Sequence, residues 1–214
     1  MSEAARNPPL VLATHWQKRS KESGTFEASL GNYHLRTDEE LLADLRRGRK
    51  EALVEIFSRH KQPLYRFALN MTGSSEIAQE AVQDAFLALI RKPEAWQPEK
   101  GTVQSFLYGI TRNVTFRAIT VYAEFDELDF DLASGASVLD DLDREERIRA
   151  VRDGVLSLPP VYREAVVLCD MEELSYEEAA VRMGCAVGTV RSRVSRGRAI
   201  LASKLRARFA GRSM

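Results

Sequence analysis

From residue 182 to the C-terminus the chain carries nine Lys or Arg and no Asp or Glu. Six polar side chains crowd one part of this run: Thr189, Arg191, Ser192, Arg193, Arg196 and Arg198. A guanidinium can give two hydrogen bonds to a guanine edge, worth about 1–3 kcal/mol of discrimination each. A cationic helix face also gains affinity for phosphates by releasing counterions. The chemistry on offer is therefore recognition of nucleic acid. Bond-making chemistry has no counterpart. The sequence contains no GxGxxG, no P-loop and no nucleophile–base–orienter set. Its carboxylate pairs fall in first turns of predicted helices or in one acidic segment, where capping and solvation account for them. No catalytic residue, no enzyme activity and no cofactor is expected. Cys169 and Cys185 form no CxxC pair, and His15, His34 and His60 are dispersed. No metal site is predicted from that spacing.

Two helices and a tight turn must hold these cations. Ser175 is a suitable N-cap, and Glu178 stands three residues on, the spacing of a capping box. Ala179, Ala180 and Met183 give the first helix a small apolar face. Gly184 follows as the residue that takes a left-handed backbone at little cost. The second helix starts near 187–189 and places Val190, Val194, Leu201 and Leu205 on one side. The polar residues named above take the other. This is the pattern of a helix-turn-helix whose second helix enters a major groove. A merely solvated basic helix is the plainer alternative. It would require the capping box, the glycine turn and the one-sided arginines to coincide.

The charge is segregated. The chain has 31 Lys plus Arg and 31 Asp plus Glu in 214 residues, yet residues 124–146 hold ten acids and one base, Arg144. Residues 147–214 hold thirteen bases and seven acids. Such asymmetry points to a nucleic-acid-binding end and an acidic linker. No apolar run approaches the roughly 20 residues needed to span a bilayer, so no membrane insertion is expected. The N-terminal run PPLVLAT is too short for a signal peptide's core. With only two cysteines, a reduced cytoplasmic location is expected.

The first half is helical in pattern. Residues 1–36 show no sustained period and are expected to form a flexible extension. From Thr37 a capped helix runs toward Gly48, and a second extends over 52–71, where Pro63 marks a possible kink. Residues 75–92 are the cleanest amphipathic helix of this half. Ile77, Val82, Ala85, Phe86, Leu89 and Ile90 form its apolar face. Glu80, Gln83, Asp84, Leu87 and Arg91 line the other, where an exposed Leu87 among carboxylates suits a partner contact. After a turn-rich loop at 93–101, a helix from Thr102 places Phe106, Ile110 and Val114 in one stripe. Tyr108, Arg112, Asn113 and Arg117 lie away from it. Aromatics interleaved with cations, beside Trp96 and Lys100, suit stacking on unpaired bases. For Trp96 and Phe106 taken alone, the plainer reading is that of core residues. The fold class is all-α: two small helical domains, 37–123 and 147–210, joined by an acidic flexible linker at 124–146.

The two halves together resemble a bacterial RNA polymerase sigma factor of the extracytoplasmic-function group, over roughly 37–117 and 147–208. AQEAVQDAFLAL at 78–89 is similar to the polymerase-binding helix of sigma region two. AWQPEKGTVQSFLYGITRN at 95–113 resembles its promoter-melting segment. LPPVYREAVVLCDMEELSYEEAAVRMGCAVGTVRSRVSRGRAIL resembles region four. The resemblance implies that Glu80, Gln83, Asp84 and Leu87 grip core RNA polymerase. It implies that Trp96, Lys100, Phe106, Tyr108, Arg112, Asn113 and Arg117 serve the melted minus-ten strand. Thr189, Arg191, Ser192, Arg193, Arg196 and Arg198 would read the minus-thirty-five element. It also implies promoter DNA and an anti-sigma factor as partners. One departure stands out. The family usually follows the Arg-Asn pair with a basic run, whereas here Arg117 is the only cation before the acids begin. Gly109 also stands where the family often has a larger polar or basic residue. Two other readings compete: a helix-turn-helix repressor or activator without sigma function, and an enzyme fused to a DNA-binding domain. The repressor or activator requires dimers on palindromic sites. The fused enzyme requires a catalytic constellation that the sequence lacks.

Overall fold

The computed structural model describes residues 33–125 and 139–210. Every regular element among them is helical. In chain order they are α1 (Asp38–Arg46), α2 (Glu51–Thr72), α3 (Ser75–Arg91) and α4 (Val103–Phe125), then α5 (Leu139–Leu156), α6 (Pro160–Val166), α7 (Tyr176–Met183) and α8 (Val187–Ala210). Short 3-10 turns at Pro93–Ala95 and Pro98–Lys100 link α3 to α4. A π-helical turn, Val167–Met171, ends α6. The expected all-α class is what forms. The described residues fall into two compact units that divide after Phe57, inside α2.

In the first unit, Thr37 caps α1 through a complete capping box with Glu40, at 3.3 Å and 2.9 Å. Three carboxylates in the first turn favour the positive end of the helix dipole. Asp44 is buried and draws Arg36, Arg47 and Arg49 around it. Residues 33–36, expected within the extension, form a turn in which Tyr33 is buried and His34 Nδ1 lies 2.8 Å from Glu55. The expectation of flexibility for 1–32 lies outside the described residues.

In the second unit, α3 packs chiefly on α4. Ala78, Ala81 and Ala85 line the buried side of α3, and their small side chains allow close approach. Ala78 and Ala81 form one cluster with Ala68 and Val114, and Tyr65 and Leu69 pack against it. Ser74 caps α3 by accepting from the Ile77 N–H at 3.3 Å. The stripe expected on the helix after Thr102 is displaced. Val103, Leu107, Tyr108, Thr111, Val114 and Thr115 are buried, while Phe106 and Ile110 are only half-buried. The short threonines back-bond to Leu107 and Arg112 carbonyls, so their hydroxyls tolerate burial. On α3, Ile90 is 46% exposed and Leu87 half-buried, reversing the expected order of those two. Pro63 lies within α2, which continues through it.

The C-terminal helices surround α8, which packs on α5, α6 and α7. Val190 and Val194 are buried there, as the periodicity predicts. At Gly197 a side chain has no room: a Cβ would lie 2.6 Å from Val166 Cγ2 and 3.2 Å from the Tyr162 carbonyl oxygen. Helix α5 begins at Leu139, so residues 139–146 of the expected linker are helical. The acidic sequence that argues for a linker also suits the positive end of a helix dipole. Residues 126–138 of that linker lie outside the described residues.

Candidate nucleic-acid interface

The helix-turn-helix forms as its sequence dictates. Ser175 Oγ accepts from the Glu178 N–H at 3.2 Å, and Glu178 Oε2 accepts from the Ser175 N–H at 2.9 Å. The Ser175 hydroxyl also donates to Glu178 Oε2 at 2.7 Å, and that bond first, then the one from the Ser175 N–H, holds the Glu178 carboxyl below the ordinary glutamate range. Helix α7 ends at Gly184, whose φ of 62° and ψ of 39° are left-handed. On α8, Arg191, Ser192 and Arg196 are exposed, and Thr189 and Arg193 are half-exposed. Arg191 lies over the Tyr176 ring at 5.7 Å, which steadies the guanidinium without neutralising it. Among the described residues no ion pair involves Arg191, Arg193 or Arg196. Arg198 differs. Its guanidinium pairs with Asp170 of the π-helical turn at 2.5 and 3.1 Å, and that bond raises its pKa. The cationic face thus divides into open arginines near the start of α8 and a tethered one further along.

The second expected nucleic-acid surface is arranged otherwise. Trp96 is 5% exposed, and its Nε1–H donates to the Gly101 carbonyl at 2.9 Å, closing the loop between α3 and α4. Tyr108 is 1% exposed and stacks at a tilt on Phe67, with ring centroids 4.6 Å apart. Its hydroxyl donates to Glu164 Oε1 at 3.1 Å. Burial first, then the Glu164 charge, raise the phenol well above its ordinary value. Arg112, 27% exposed, forks onto the same carboxylate, with Nε 2.5 Å from Oε1 and Nη2 3.0 Å from Oε2. Its guanidinium also lies over the Phe116 ring at 4.4 Å. Lys100, Asn113 and Arg117 are exposed, and Phe106 is half-buried. The structure therefore brings Tyr108 and Arg112 together around Glu164, and leaves Lys100, Asn113 and Arg117 in solvent.

Sequence reasoning passed over Glu164, which is wholly buried. The signal was there: it stands at helical spacing from Val161 and Leu168, and a charge on an apolar face requires a partner. Arg163, beside it, was also passed over. Its guanidinium donates to the carbonyls of Leu156, Leu158 and Met71, the last at 2.5 Å. Burial lowers its pKa.

The third surface is on α3. Glu80 and Gln83 are exposed, and Asp84 and Leu87 are half-buried beside them. Their spacing puts all four on one side, opposite the buried alanines. Cys169 and Cys185 are unbridged, and no cluster able to hold a metal ion occurs among the described residues. Among those residues no helix is long and apolar enough to cross a membrane.

Comparison with known proteins shows what the chain is similar to. Residues 56–121 match Sigma-70 region 2, and residues 148–201 match Sigma-70, region 4. The ECF RNA polymerase sigma factor SigM of Mycobacterium tuberculosis is 35% identical over 182 residues, covering 82% of this chain and 88% of that protein. SigE of Mycolicibacterium smegmatis, of the same group, is 33% identical over 153 residues. That match takes in 67% of this chain but only 58% of the relative's own length. Among solved structures, CnrH in complex with the cytosolic domain of CnrY superposes with a TM-score of 0.59 at 25% identity. It covers 79% of this chain and 97% of CnrH.

Proposed function

The chain belongs to the extracytoplasmic-function group of RNA polymerase sigma factors, and from that premise we propose how its surfaces divide the work. It is a promoter-specificity subunit that binds core RNA polymerase, directs it to particular promoters and takes part in opening them. It has no catalysis of its own. Glu80, Gln83, Asp84 and Leu87 of α3 form the polymerase-binding face, where exposed Glu80 and Gln83 stand beside half-buried Asp84 and Leu87. Arg191, Arg193 and Arg196, with Thr189 and Ser192, read the minus-thirty-five element in the major groove, and Arg198 adds a cation further along α8. Lys100, Arg112, Asn113 and Arg117, with the aromatics Trp96, Phe106 and Tyr108, serve the melted minus-ten strand. Trp96 acts by shaping the loop that presents Lys100.

The observation that carries this reading is the order of two matched regions in one chain, region 2 at 56–121 before region 4 at 148–201. Two DNA-binding regions on one chain raise each other's effective concentration without any new contact. The region-2 domain is 37–123 and the region-4 domain 147–210. A cytoplasmic location follows, since both partners are there. CnrH is held by the cytosolic domain of CnrY, and a cognate anti-sigma protein is the expected regulator here.

Run-off transcription with purified chain, core polymerase and a promoter library tests the reading. Discrete start sites that depend on the chain are expected. No initiation on any template, together with tight dimeric binding to palindromes, would establish a conventional repressor instead.

A further inference from the structure

Glu164 is a carboxylate with no exposed surface, and both side chains that donate to it, Tyr108 and Arg112, come from α4. Arginine takes carboxylate and phosphate with the same two-pronged geometry. Arg112 is already committed to such an anion. Resting on the reading that Arg112 serves the melted strand, we propose that Glu164 is an internal occupant of that site. It latches the C-terminal helices onto α4 in the unbound chain and must leave before the strand can bind.

Three features of the contact suit a latch. First, it is polar. Besides the Glu164 cluster, the Arg163 guanidinium donates to the Met71 carbonyl near the end of α2, and Arg66 makes a forked pair with Glu172 at 2.8 and 3.2 Å. Polar contacts between parts of one chain are typical of surfaces that separate. Second, the balance of a buried ion pair favours reversibility. Its attraction is largely offset by taking both ions out of water, so parting the pair as a unit costs little. Removing one partner alone costs far more, because the other stays buried and unpaired. Third, Arg182 of α7 lies over the Tyr108 ring at 5.6 Å, so the helix-turn-helix itself covers the aromatic beside Arg112. The latch hides Tyr108 and Arg112 while Asn113 and Arg117 stay exposed. A closed chain therefore keeps part of its cationic surface but not the whole site.

Single-molecule energy transfer on the full chain reads closure directly. Dyes are placed on Glu99→Cys and Ala207→Cys, with Cys169 and Cys185 replaced by Ala. Binding of fluorescein-labelled single-stranded DNA of mixed sequence is measured by anisotropy in parallel. Glu164→Gln is expected to raise the open fraction about tenfold, because a neutral amide of the same shape weakens the charge-assisted bonds to a guanidinium that is still 27% exposed. Strand affinity should rise by up to the same factor, because the competent fraction scales the apparent constant. The exchange Arg112→Glu with Glu164→Arg should restore the closed distribution without restoring strand binding, which also guards against a misfolded single variant. An unchanged energy-transfer distribution for Glu164→Gln, with helix content retained, overturns the latch. Opening without tighter strand binding overturns the competition. In that event Glu164→Gln is compared with Glu164→Gln plus Arg112→Ala. A weaker strand complex for the double variant keeps the assignment of Arg112 to DNA, and equal affinity removes that assignment too.

Discussion

Two cationic surfaces of this chain carry similar residues and meet opposite surroundings. On α8, Arg191 and Arg196 stand in solvent, and the nearest restraint on Arg191 is the face of Tyr176. On α4, Arg112 is drawn into a forked pair with a wholly buried glutamate. An arginine braced by a ring keeps its full charge for a ligand. One braced by a carboxylate has the two-pronged edge of its guanidinium already used. The difference teaches that a duplex reader can be preformed, since the groove exists before binding. On the assignment proposed above, a reader of melted DNA has no substrate until the duplex opens, and Arg112 is paired with Glu164 meanwhile.

The sharpest way to break this contrast is to remove the open arginines. Arg191→Ala and Arg196→Ala should each cost holoenzyme about 1–3 kcal/mol in promoter affinity, the worth of a two-pronged base contact. Titration of labelled promoter DNA at fixed salt measures this. Equal or larger losses from Arg112→Ala or Arg117→Ala would reverse the ranking of the two surfaces. Next comes the seat of α8. Gly197→Ala drives a methyl group against Val166 and the Tyr162 carbonyl. Overpacking of this kind costs about 1–3 kcal/mol, to be read from the midpoint of urea unfolding. No loss would mean that α8 is not tightly held. Ser175→Ala removes the α7 cap and should cost about 1 kcal/mol by the same measurement. It leaves the α4 surface unchanged, so strand binding should not follow stability.

The smallest effect is a pH dependence. Because its folded-state pKa is depressed, Glu178 adds stability that is present above the ordinary value of 4.5 and lost as pH falls through the folded value. Glu178→Gln should therefore flatten the acid side of a thermal-melt profile while leaving the neutral side lower than in the parent. An acid limb of unchanged slope would remove the box from the acid sensitivity of this chain.

What the sequence revealed depended on whether the cause was local. The capping boxes at Thr37 and Ser175, the left-handed Gly184 and the buried Val190 and Val194 are all set by neighbours a turn away. Local spacing therefore predicted them. The face of α4 was misjudged by a notch. Threonines 111 and 115 read as polar, but their hydroxyls bond back to the helix and their methyl groups are buried. Tyr108 and Arg112 read as outward-facing because their partner stands 56 and 52 residues away. No helical period connects α4 with α6. The hint was on the other side, in a glutamate standing on an apolar face. On α3 the exposed Glu80 and Gln83 were legible from the hydrophobic period alone, whereas Ile90 and Leu87 exchanged roles. Near a helix end, the course of the following loop decides which side is covered.

Gly197 has one more consequence. It is flanked by Arg196 and Arg198, and its bare Cα is seated against the Tyr162 backbone. A helix advances about 100° per residue. Rolling α8 by a single position would carry an arginine into that seat, where no side chain fits. The contact therefore works like an indexing pin on a shaft, admitting one angular setting of α8. The direction in which Arg191 and Arg196 point is thus fixed from behind, by a residue with no side chain.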